Sequence, residues 1–109
     1  MAYDEAFAER VRRVLVKQPG VTERKMFGGI AFMVGGNMCC GVVKNDLMVR
    51  VGPQPYEDAL AMPGARPMDF TGRPMKGMLY VDGGAFRSAK TLAAWVRLGA
   101  DYATSLPAK

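Results

Sequence analysis

Hydrophobic and polar positions alternate along this chain with two periods, and the switches between them mark out its elements. Phe7, Val11, Val14 and Leu15 fall at i, i+4, i+7 and i+8, one stripe of an amphipathic helix predicted over 3–18. Asp4 and Glu5 in the first turn and Arg12, Arg13 and Lys17 near the end suit the helix macrodipole, and Pro19-Gly20 stops it. Glu5, Glu9, Arg10 and Arg13 stand at helical pairing distances, so this charge cluster reads as a solvated face. From Thr22 to Phe27 the pattern is that of a strand, broken by a bend or bulge at Gly28-Gly29. A phosphate-cradling loop at these glycines is the weaker reading, because no Lys-Ser or Lys-Thr pair follows and no helix begins after them.

The meander that follows is the most informative stretch. Gly35-Gly36 and Asn45-Asp46 read as two-residue hairpin turns, because Gly and Asn reach positive φ cheaply. Parity then puts Cys40, Val42, Leu47, Val49 and Val51 on one face, joined by Ala31, Met33 and Met38. The other face receives Ile30, Phe32, Val34, Cys39, Val43 and Met48, with Asn37, Gly41 and Arg50. A three-residue turn at Gly35 would exchange the faces of the first strand of this pair. In either case neither face is polar, whereas an antiparallel sheet with one wet face alternates apolar and polar residues. Helices and loops of the same chain are one way to cover both faces, but only two substantial helices and one short one are predicted. We therefore expect one face to be covered by a second copy of the chain or another protein, with Ile30, Phe32, Val34, Val43 and Met48 as the partner-facing residues.

After Gly52 a short helix is predicted over Tyr56 to Ala61, closed by Met62-Pro63-Gly64. A second hairpin runs from Arg66 to Phe70 and from Met75 to Asp82, and Pro67 marks its first strand as an edge strand. Ser88 caps a last helix whose stripe holds Leu92, Trp95, Val96, Gly99, Tyr102 and Leu106. Trp95 reads as a core anchor, Gly99 as a point of close helix-to-sheet approach, and residues 103–109 as a fraying tail. The order is helix, about four strands, short helix, two strands, helix. It predicts a two-layer α+β domain over 1–109, its mostly antiparallel sheet packed against helices.

Composition narrows the chemistry. The 109 residues suit one core, and the N-terminus MAYDEAFAERVRR carries charge from the start, with no apolar run near bilayer length. We expect a cytoplasmic protein with no membrane contact, its adjacent cysteines Cys39-Cys40 reduced. The net charge of +5, from 15 basic and 10 acidic residues, is spread along the chain. Nucleic acid is an alternative partner on that ground, without a dedicated basic tail or arm. The sequence has no histidine, hence neither the commonest general base nor the commonest metal ligand. Adjacent strand residues point to opposite faces, so Cys39 and Cys40 are expected not to converge on one ion. No catalytic, cofactor or metal site is predicted. Arg50, Arg66, Arg73 and Lys76 are the candidate anion-binding residues, with Arg87 as a further basic residue of that half. If they converged with Asp69, a small enzyme for an anionic substrate would be the competing reading.

The run Lys25-Met26-Phe27-Gly28-Gly29-Ile30-Ala31-Phe32, the Gly36-Asn37 turn with Met38, and Leu47-Met48-Val49-Arg50-Val51 resemble the N-terminal domain of TfoX/Sxy-type proteins. Pro67-Met68-Asp69-Phe70, Met78-Leu79-Tyr80-Val81 and the helix with Leu92 and Trp95 follow the same order. The resemblance implies a secretion-chaperone-like α+β domain that dimerises. It further implies a non-enzymatic co-regulator of competence genes that works beside a transcription factor, with no established catalytic residues.

Overall fold

Asp4 begins the first helix. Its carboxylate accepts a hydrogen bond from the backbone N–H of Phe7 at 3.1 Å, satisfying one of the orphan donors at the helix start. This helix, α1, spans Glu5–Val14 and buries Phe7, Ala8 and Val11. A computed structural model describes residues 3–26, 28–69, 74–85 and 88–107. Beyond α1 come β1 (Val21–Met26), β2 (Gly29–Val34), β3 (Asn37–Val43), β4 (Asp46–Arg50), α2 (Tyr56–Leu60), β5 (Ala65–Asp69), β6 (Pro74–Val81) and α3 (Ala89–Ser105), with one 3-10 turn at Gly83–Ala85. The order is the predicted one, and α1 ends earlier than its pattern suggests.

The strands form one open six-stranded sheet in the order β1-β2-β3-β4-β6-β5, and each neighbouring pair is antiparallel. β5 is an edge, as Pro67 requires. Gly35 and Gly36 both sit at positive φ, 60° and 83°, and turn β2 into β3 with Val34 opposite Asn37. The next turn lies one residue earlier than predicted. Val43 opposes Asp46, so Lys44 and Asn45 make the turn, with Lys44 at φ 54°. Each pair shifts accordingly and Val42 faces Leu47, but parity is preserved. Cys40, Val42, Leu47 and Val49 still share a face.

A β-bulge changes the rest. Phe32 opposes Cys40, but the next residue, Met33, opposes Met38, so Cys39 is an extra residue in β3. One inserted residue exchanges the faces of the paired strand. Ile30, Phe32 and Val34 therefore join Cys40, Val42, Leu47, Val49, Leu79 and Val81 in the main core, and not Val43 and Met48 as parity alone implied.

All three helices lie over that core face. α1 contributes Phe7, Val11 and Leu15 at its C-cap, α2 contributes Tyr56 and Ala59, and α3 contributes Leu92, Trp95, Val96 and Ala100. Ser88 caps α3 by accepting the N–H of Thr91 at 3.2 Å. A Cβ built on Gly99 would run into the carbonyl oxygen of Cys39, so the predicted close approach is real. The tail does not fray where expected. α3 continues to Ser105, and the buried side-chain amide of Asn37 donates to the Pro107 carbonyl at 3.0 Å.

Candidate functional site

Among the described residues, the cluster on the opposite face of the sheet is built from strand residues alone. Met48 and Met78 form its centre, with Met38, Val43 and Tyr80 packed around them. The terminal methyl of Met48 fills the space a Gly41 side chain would occupy. Ala31, Met33, Met48 and Met78 are thus buried with no helix among the residues packed in this cluster, while Met38, Val43 and Tyr80 stay half-exposed. Of the five residues expected to face a partner, Val43 and Met48 are on this face and Ile30, Phe32 and Val34 are under the helices.

Of the predicted anion-binding residues, Arg50 and Arg66 are held apart. Arg66 pairs with the carboxylate of Asp46 and lies over the Tyr80 ring, 5.0 Å from its centroid. Arg50 lies over the Tyr102 ring of α3 at 5.2 Å. Asp46 and Arg50 are the two ends of β4, roughly 13 Å apart by strand rise, so the two guanidinium groups are drawn in different directions. Arg73, Arg87 and the side chains of Lys76 and Asp69 lie outside the described residues.

The bulge also corrects the reading of the cysteines. Both Cys39 and Cys40 belong to the helix-side core, and both are free thiols. The Cys39 thiol points at the Val96 carbonyl of α3, with Sγ 3.7 Å from its oxygen. The hydrogen bond with Cys39, and then burial, hold the Cys40 thiol well above its ordinary value. That favours the protonated form, which is neither a nucleophile nor a metal ligand. Among the described residues no group of three or more His, Cys, Asp or Glu comes together as a metal site.

A sequence model of the TfoX N-terminal domain matches residues 13–103 of the 109. The chain belongs to that family. No curated protein and no solved structure matches it. In this TfoX N-terminal domain the motif residues have structural roles that can be named. Gly28 of the MFGG run stands at positive φ, 74°. A Cβ on the next glycine, Gly29, would strike the Val42 carbonyl across the sheet. The Leu47–Val51 run, on β4 and just past its end, alternates between the two faces, supplying Leu47, Val49 and Val51 to the core and Met48 to the open side.

Sequence reasoning missed a second surface of the TfoX-type domain. Arg10, Arg13 and Val14 of α1 and Ala89, Leu92, Ala93 and Arg97 of α3 line a groove of about 430 Å³ along the seam of the two helices. The charges on α1 were legible, but their meeting with Arg97 depends on helix packing, which no local pattern encodes. The remaining arginine of that turn, Arg12, leaves the seam. It bonds Glu9 at 3.1 Å and Glu23 of β1 at 2.8 Å, and Glu23 is the chief reason its proton is held even more firmly than usual.

Proposed function

We propose that this TfoX N-terminal domain is a cytoplasmic, non-enzymatic regulatory module that acts through protein contacts and pairs with a second copy of itself across the methionine face. The observation that carries the reading is the placement of all three helices on one face of the sheet, which leaves the other to strand residues. Methionine is unbranched and polarisable, and it suits surfaces that must adapt to a partner. The edges of the sheet favour a face-to-face contact over strand addition. β1 (VTERKM) carries three charges in succession and β5 contains Pro67, and both features blunt an edge. TfoX N-terminal domains are not a known enzyme family. The further partner that family membership suggests is a transcription factor.

Light scattering across a concentration series tests the pairing. The expected mass is twice the 11.8 kDa of the chain. Val43→Glu places a charge at a half-exposed position of the face and is expected to yield a folded monomer. A wild-type protein that stays monomeric at high concentration, or a Val43→Glu variant that stays dimeric, overturns the reading.

A further inference from the structure

We infer that the seam between α1 and α3 is a second docking surface, which takes an acidic amphipathic helix of a partner protein. It lies on the helix layer, across the sheet from the methionine face, and does not depend on that face forming a dimer.

The floor and the rim of the groove differ in chemistry. Val14, Ala89, Leu92 and Ala93 supply an apolar floor, and Arg10, Arg13 and Arg97 stand along it. A second depression of about 300 Å³ continues the seam through Val14, Lys17, Gln18, Val96, Arg97 and Ala100. It shares Val14 and Arg97 with the first, so one trough carries four cations along its length. Arg13 and Arg97 are exposed, and neither they nor Lys17 form an ion pair among the described residues. Asp101 stands one turn beyond Arg97 and does not pair with it either. The contrast with Arg12 is informative, since the same helix satisfies that arginine twice over with Glu9 and Glu23.

The shape decides which anion fits. Ala89 and Ala93 are one turn apart on α3, so the wall of the trough is low there and another helix can approach closely. A helix with leucines at i, i+3, i+4 and i+7 would lay that stripe on Val14, Leu92 and Ala93. Its flanking carboxylates would then meet Arg10, Arg13 and Arg97, where guanidinium groups bind carboxylate bidentately. A nucleic acid would use the same cations and have no use for the apolar floor.

Fluorescence anisotropy with the full chain separates these cases. The probe is a labelled peptide about 18 residues long, enough for several helical turns, with Leu on one helical face and Glu elsewhere. The controls are the same peptide with Lys in place of Glu, and a labelled DNA duplex. The Glu peptide is expected to bind and the Lys peptide not to. The double variant Arg13→Glu/Arg97→Glu is expected to weaken the Glu peptide by roughly tenfold or more. Ala93→Leu fills the floor without altering charge and is expected to weaken it comparably. Circular dichroism checks that each variant folds, and the exposed double variant decides the matter alone if Ala93→Leu does not. Absence of Glu-peptide binding, or equal binding by wild type and the double variant, overturns the inference. So does duplex binding tighter than that of the peptide, lost in the double variant and kept in Ala93→Leu.

Discussion

The two faces of the sheet are drawn from alternate residues of the same strands, yet they are made of different materials. The helix side is assembled from Phe32, Val42, Leu47, Val49, Leu79 and Val81, locked against Phe7, Val11, Leu92 and Trp95. Branched and aromatic side chains have few rotamers, and their packing fixes where the helices sit. The other side is Met33, Met38, Met48 and Met78 on a ground of Ala31 and Gly41, closed over by long unbranched chains from the strands themselves. Both faces are apolar, so hydrophobicity does not distinguish them. Shape persistence does. One face specifies the fold, and the other keeps its apolar surface in a form that can be rearranged.

The largest expected effect tests the rigid side. Trp95→Ala should cost about 3–5 kcal/mol in urea unfolding, because the side chain is 1 % exposed and its neighbours on α3 and the sheet cannot close the void. Met48 tests the other side. Met48→Ala should cost about 2 kcal/mol, at the low end for a buried methionine, and Met48→Leu less than about 1.5 kcal/mol. A Met48→Ala loss equal to that of Trp95→Ala would mean that both faces are jigsaw cores, and the contrast would fail.

The thiols sharpen the same comparison through pH. Cys40 is held above its ordinary value of 9.0 in the folded chain, so it keeps its proton where the unfolded chain releases one. Its contribution is complete below that ordinary value and declines as pH rises past it, by at most about 1.4 kcal/mol per pH unit. Chemical unfolding at pH 8 and at higher pH should show the decline, and Cys40→Ala should reduce it. Both thiols should stay silent to a thiol reagent until the chain unfolds. The smallest effect belongs to the periphery, where Arg12→Ala removes exposed pairs to Glu9 and Glu23 and should cost no more than about 1 kcal/mol.

What could be read in the sequence was local. The order of elements, the Ser88 cap, the core position of Trp95, the close approach at Gly99 and the edge position of β5 each follow from a few neighbouring residues. The Gly35-Gly36 hairpin was equally legible, since two adjacent glycines at positive φ make the turn. The error over Ile30, Phe32 and Val34 has one source, the extra residue Cys39. A bulge leaves no mark in hydrophobic parity when the inserted residue and its neighbour are both cysteines and either face would accept them. Longer-range facts were hidden for a different reason. Arg66 meets Asp46 because β6 inserts between β4 and β5, and Arg50 meets Tyr102 because α3 returns beside β4. Partners of that kind depend on topology and not on spacing.

The bulge at Cys39 makes this hairpin tolerant of one change of length, the loss of the inserted residue itself. Either cysteine could become another small apolar residue with modest consequences. Removing one of them is a different kind of change, because Met33–Met38 and Phe32–Cys40 would then follow one another in an unbroken β2–β3 ladder. Ile30, Phe32 and Val34 would stay toward Trp95, and Ala31 and Met33 would stay on the outside. A three-base deletion in frame would thus leave every pairing of the strand in place and remove only the kink, with the thiol that reaches the Val96 carbonyl.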